Sequence, residues 1–140
     1  MRPSANDGPI AAAALVPPGR DLAVAAEALY LLNLLFLPVI AFALLVWLHR
    51  RYMSSAPPLA ACHLGQTLCA SIFAGIILVG INGILFLVGQ PDNPFTWVVV
   101  LLYFTIGHST LLVLGGVGLA RAIAGKCFRY PLVGRRCRCG

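Results

Sequence analysis

Three histidines are the side chains in this sequence that could hold a metal-containing cofactor. His49 and His63 lie on either side of a short polar break, and His108 lies in the middle of the last apolar stretch. Two axial ligands of one haem must lie at the same depth. His63 and His108 differ by about 10 residues in depth, or roughly 15 Å along a helix, which argues against a shared haem. His49 and His63 match in depth, but both lie where the chain meets water.

His108 leaves two interpretations open. A neutral histidine between apolar helices can hydrogen-bond to a neighbouring helix. It can also be the single axial ligand of a haem or a bacteriochlorophyll that is shared with a partner chain. We expect the chain to hold no cofactor or metal of its own, with the shared haem or pigment as the alternative.

The five cysteines are the other reactive side chains: Cys62, Cys69, Cys127, Cys137 and Cys139. The pair at 137 and 139 lies beside arginines and could bind a metal, carry redox chemistry or be palmitoylated. A solvated basic tail with incidental cysteines explains the same pattern. Since all five fall inside the membrane or on the side expected to face the cytoplasm, we expect no disulfides.

Carboxylates are scarce, with Asp7, Asp21, Glu27 and Asp92 the only acidic residues. General acid–base chemistry needs paired titratable groups, and nucleophilic catalysis needs a nucleophile beside its base. The sequence contains no paired carboxylates, phosphate-binding loop or metalloprotease helix motif. We therefore predict that the protein is not an enzyme.

These polar residues are embedded in a very apolar chain of 140 residues, of which 60% are hydrophobic and 10% charged. A soluble domain has about 25% charged residues. Apolar stretches cover 22–48, 60–88 and 95–124, and each exceeds the about 20 residues that a helix needs to cross a bilayer. The sequence predicts an all-α integral membrane protein with three transmembrane helices.

The remaining segments differ in composition from these helices. Residues 1–20 are rich in proline, alanine and glycine and predict an irregular N-terminal arm. The three-helix transmembrane domain covers 21–125, and a basic C-terminal tail covers 126–140. Pro38 predicts a kink inside the first helix.

Basic residues predict how the chain is oriented. Arg50 and Arg51 occupy the first loop and more basic residues follow the third helix, whereas the second loop over 89–94 has none. The first loop and the tail should therefore face the cytoplasm across a bacterial inner membrane, with the N-terminal arm outside. The net charge of +6 should attract anionic lipid. No aromatic-rich basic face points to nucleic acid.

Small residues recur along the second and third helices at the spacing that lets lipid-bathed helices approach closely. We expect this set to form the helix-packing interface: Ser71, Gly75, Gly83, Gly116, Ala120 and Ala124.

Two short motifs carry a family resemblance. The second helix opens with His63-Leu64-Gly65-Gln66, and Arg129-Tyr130-Pro131-Leu132 follows the third helix. With the three-helix layout, they resemble small bacterial membrane proteins related to the chloroplast inner-envelope import-channel (Tic-type) family, over about 29–132. The resemblance implies a fold more than an activity. Because His63 and Gln66 share one helix face, they could fasten the tail through a polar anchor with Tyr130.

The function that these features favour is a non-catalytic accessory subunit of a larger bacterial inner-membrane complex, respiratory, photosynthetic or secretory. Its partners would be other integral membrane subunits. Two alternatives remain: a haem- or pigment-binding electron-transfer subunit that uses His108, or His49 with His63, and a small channel or transporter.

Overall fold

The computed structural model describes residues 16–131, 133, 134 and 137, and all regular structure among them is helical. The helices are α1 (Arg20–Leu35), α2 (Pro38–Tyr52), α3 (Pro58–Gly75), α4 (Asn82–Val88) and α5 (Pro94–Ile123). A π-helical segment, Ile76–Ile81, joins α3 to α4 without a break, so the two form one long rod.

The first apolar stretch folds back on itself. α1 ends before Phe36 and Leu37, and Pro38 takes the first position of α2, where its missing N–H costs nothing. Residues from the beginning of α1 (Leu22, Ala26) and the end of α2 (Leu45) pack in one apolar cluster. The two helices therefore form an antiparallel hairpin, where the sequence predicted a single kinked helix.

This hairpin changes the number of helices that can cross a bilayer. α1 has 16 residues and α2 has 15, which correspond to about 24 and 22 Å, short of a hydrocarbon core of about 30 Å. Two helices, Pro58–Val88 and Pro94–Ile123, are long and apolar enough to cross a membrane. Among the described residues the structure thus supports two such spans where three were expected.

Several chain segments gather at one end of the bundle. A Cβ atom placed on Gly19 would lie 2.9 Å from the Ala60 Cβ, and Pro17 packs directly against Gly125. We call this end, formed by 16–19, 53–57 and the segment after α5, the tail end. The described beginning of the chain lies there, so the expectation that the N-terminal arm starts on the opposite side is wrong for the residues from 16 onward.

α5 packs with a different set of small residues from the one predicted. A Cβ on Gly115 would lie 2.7 Å from the Tyr30 ring, and one on Gly118 would lie 2.6 Å from the Glu27 Oε2. Gly116 has open space around it. The packing face of α5 is set by the large and polar side chains of α1, which need the room that Gly115 and Gly118 provide.

The other members of the predicted interface also differ from expectation within this chain. Ser71 is buried, but Gly75 and Gly83 have no described atom within 4 Å of an added Cβ. Ala120 and Ala124 are exposed. The five predicted residues other than Ser71 therefore do not pack between the helices of the chain. Their contact with another chain stays a prediction.

Two neighbouring glycines test this assignment. Gly118→Ala should lower the free energy of unfolding by about 1–3 kcal/mol, because the added methyl group overlaps Glu27. Gly116→Ala should raise it by about 0.5–1 kcal/mol, as alanine favours the helix and meets open space. Unfolding of the purified chain in detergent measures both, and equal effects would contradict the orientation of α5.

Candidate functional site

The site is built around one buried carboxylate, Glu27, which α1 holds with none of its surface exposed. His63, at the tail end of α3, places its Nδ1 at 2.6 Å from Glu27 Oε1. The Tyr130 hydroxyl donates to Glu27 Oε2 at 2.8 Å. Because an unpaired buried charge costs several kcal/mol, these two partners are what makes a carboxylate tolerable here.

The hydrogen bonds of the two His63 nitrogens determine how many protons His63 and Glu27 hold together. Nε2 lies 3.1 Å from the backbone oxygen of Lys126, which can only accept, so Nε2 carries a proton. The close contact between Nδ1 and Glu27 needs one further proton, held by either group. The pair therefore carries no net charge, as imidazolium with carboxylate or as imidazole with carboxylic acid.

Gln66 extends the network towards the tail. Its Oε1 accepts from the Tyr130 backbone N–H at 3.4 Å, and its Nε2 donates to the Cys137 sulfur at 3.2 Å. Burial, and then the Glu27 carboxylate, raise the pKa of the Tyr130 hydroxyl well above its ordinary value, so this hydroxyl remains a donor. We call Glu27, His63, Gln66 and Tyr130 the Glu27 cluster.

A covalent link reinforces the cluster. Cys62 and Cys137 form a disulfide with Cα atoms 5.3 Å apart and 75 residues of separation. Cys127 is also disulfide-bonded, whereas Cys69 is a free thiol. The expectation of no disulfides is wrong for this structure, because it rested on the compartment alone and could not foresee that the tail folds back onto α3. Closing a loop of this length stabilises a fold by about 4–5 kcal/mol.

The side chains of the cluster are buried. None of its four side chains is more than 2% exposed. The Tyr130 ring is enclosed edge-to-face by Tyr30 and Phe128, with ring centres 5.5 and 5.0 Å away. The arrangement joins α1, α3 and the segment after α5. It acts as a polar clamp between these elements.

The structure brings the three residues of the predicted polar anchor, His63, Gln66 and Tyr130, into this one cluster. Sequence reasoning missed its centre, Glu27, although a signal was present. Glu27 is the one carboxylate well inside the first apolar stretch, and such a group needs a buried partner.

The histidines predicted as cofactor ligands are not brought together. Both nitrogens of His63 are engaged with protein oxygens. His49 lines a cleft at the tail end whose walls also include Gln66 and the Cys62–Cys137 disulfide, and His108 lies in the middle of α5. Within the described part of the chain, no group of three or more His, Cys, Asp or Glu residues could hold a metal ion.

Comparison of the chain with protein-family models, curated proteins and solved structures finds no match in any of the three.

A double-mutant cycle tests whether Glu27 and His63 act as one unit. Glu27→Leu and His63→Leu should each cost about 3–5 kcal/mol of unfolding free energy, because each leaves a buried polar partner alone. The double variant should cost clearly less than the sum of the two, by about 1–3 kcal/mol.

Glu27→Leu combined with His108→Leu provides the control, since these side chains lie about ten residues apart in depth and should be additive within about 0.5 kcal/mol. Additivity for the Glu27 and His63 pair would show that the two side chains do not stabilise one another.

Proposed function

We propose that this chain is an integral membrane protein of the bacterial inner membrane that serves as a non-catalytic subunit of a larger complex. Its partners are other integral membrane subunits, which it contacts through the outward face of α5. The Glu27 cluster supports this proposal, because its titratable side chains are bonded to one another and hold the fold together.

The observation that carries the proposal is a second, unused row of small residues on α5. Gly116, Ala120 and Ala124 recur every fourth residue and all are exposed, while Gly115 and Gly118 already serve the packing within the chain. A lipid-facing helix gains nothing from small side chains, whereas a helix that packs on another backbone does. The outward row therefore fits a helix of a partner subunit.

The charges at the tail end support an orientation. This end contains Arg50, Arg51, Arg121, Lys126 and Arg129, and the connection between α4 and α5 contains no basic residue. We propose that the tail end faces the cytoplasm and attracts anionic lipid. A disulfide at the same end, Cys62–Cys137, is typical of an oxidising compartment, so the labelling experiment below decides the orientation.

A single substitution separates assembly from folding. Gly116→Leu should shift the protein from a large native complex to a much smaller species, because a bulky side chain holds the partner helix away. Its own fold should persist, since Gly116 has open space around it. Native gel electrophoresis of solubilised membranes measures the shift. Leu101→Phe, an enlargement at an exposed position about 100° around α5 from Ala120, is the control that should leave the complex intact. An unchanged complex with Gly116→Leu would contradict the proposed interface.

Labelling with a membrane-impermeant maleimide tests the orientation. Cys137 should remain unlabelled in intact cells, even after an impermeant reductant, and react once the cells are permeabilised. Asp92→Cys, at the opposite end, should react in intact cells and shows that the reagent reaches the outer surface. Labelling of Cys137 in intact cells after external reduction would place the tail end in the oxidising compartment.

A further inference from the structure

A cleft of about 490 Å³ opens in the side of the bundle, between the α1–α2 break, α3 and α5. We call it the midplane cleft. Its lining includes Asn33, Pro38, Ser71, Gly75, Phe104 and His108. Its size falls in the range of small-molecule sites, about 300–1,000 Å³.

The polar residues of this cleft lie unusually deep between the apolar helices. Ser71 and His108 both lie in the middle third of the two long apolar helices, Pro58–Val88 and Pro94–Ile123. The break between α1 and α2 reaches the same level, because Asn33 and Pro38 line the cleft with them. Irregular backbone at the centre of a bilayer is tolerated where it is buried in protein or lines a cavity. Secondary transporters typically form their binding sites from discontinuous helices near the midplane.

Two buried polar atoms, on residues that line the cleft, have no partner among the described residues. They are the Ser71 Oγ, on a side chain that is only 4% exposed, and the Nδ1 of His108. Other hydroxyls in these helices bond back to the preceding turn, as Thr67, Thr105 and Thr110 do at 2.7–2.8 Å. Ser71 makes no such hydrogen bond to the preceding turn of its helix. Its hydroxyl therefore has an unmet hydrogen bond, and a rotation about χ1 would present it to a molecule in the cleft.

The shape of the lining favours a flat ring. Phe104 and His108 stack with ring centres 5.3 Å apart and planes inclined by 12°. The π-helical segment Ile76–Ile81 begins directly after Gly75, and such segments often occur at functional sites. α2 begins at this cleft, and the free N–H groups of its first turn favour an electron-rich oxygen.

We propose that the midplane cleft binds the ring of an isoprenoid quinone. One ring carbonyl accepts a hydrogen bond from the Ser71 hydroxyl, and His108 donates from Nδ1 when that nitrogen carries its proton. The ring lies against the stacked Phe104 and His108, and the isoprenoid chain leaves through the open side between exposed apolar residues such as Val79. A phospholipid suits the site less well, because its headgroup belongs at the surface, about 15 Å from the midplane.

Photolabelling with an azido derivative of decylubiquinone tests this site on the purified full-length chain in detergent micelles. Labelling should be saturable, map to peptides containing 71–79 or 104–108, and be displaced by unlabelled decylubiquinone. Gly75→Leu should abolish it, because Gly75 lines the cleft and a Cβ atom added there meets no other protein atom, so the larger side chain takes up space that the ring needs. Gly83→Leu is the matched control, since Gly83 has equal free space outside the cleft and should keep full labelling.

Ser71→Ala provides a second variant that removes one hydroxyl and no packing. It should weaken the displacement by decylubiquinone about three- to tenfold, the loss expected for one hydrogen bond. Labelling that persists in Gly75→Leu, that is lost equally in Gly83→Leu, or that is displaced equally well by phospholipid would overturn the proposal. So would an unchanged affinity in Ser71→Ala.

Discussion

The burial of the Glu27 carboxylate is the constraint on which the rest of the structure depends. A carboxylate with no exposed surface needs a proton-bearing partner, and His63 on α3 supplies it at 2.6 Å. The second oxygen of the Glu27 carboxylate needs a second donor, which is the Tyr130 hydroxyl from beyond the end of α5. One side chain of α1 thereby ties together parts of the chain that are 36 and 103 residues away. The disulfide between Cys62 and Cys137 closes the same end covalently.

This constraint also shapes the opposite half of the bundle. Because α1 starts at the tail end and α2 returns to it, the hairpin covers only part of the length of the two long helices. Beyond the hairpin, the π-helical segment and α4 contain no buried residue and α5 is their main neighbour. The midplane cleft lies where the cover of the hairpin ends. Its position is thus a consequence of how the first apolar stretch folds.

Sequence patterns were sufficient to predict the two long helices but not the fold of the first apolar stretch. The predicted segments 60–88 and 95–124 agree closely with Pro58–Val88 and Pro94–Ile123, since length and hydropathy determine such helices. The stretch over 22–48 has the same apolar character whether it crosses a membrane or folds back. Pro38 is compatible with a kink and with a new helix. The partner of Glu27, which decides between them, lies too far along the chain for any local pattern to show.

Separation along the chain also explains which residues of the candidate site could be predicted. His63 and Gln66 share a helix face by their spacing, and Tyr130 follows the last helix, so their proximity could be argued from the sequence. These residues also carry the resemblance to the Tic-type family, and membership of that family stays a prediction. The packing face of α5 could not be predicted, because small residues occur on two of its sides. Only the large side chains of α1 select Gly115 and Gly118 over Gly116.

Polar groups deep in an apolar bundle separate into two kinds by whether their hydrogen bonds are complete. In the Glu27 cluster each titratable side chain has a partner, and such networks stabilise one arrangement of the chain. Beside the midplane cleft Ser71 and His108 have unpaired atoms, although a hydroxyl in a helix can bond to its own preceding turn. An unpaired buried group costs about 1–3 kcal/mol, which the fold recovers only when another molecule supplies the missing bond. The completed cluster therefore accounts for the architecture, and the incomplete pair is where a ligand contributes most to stability.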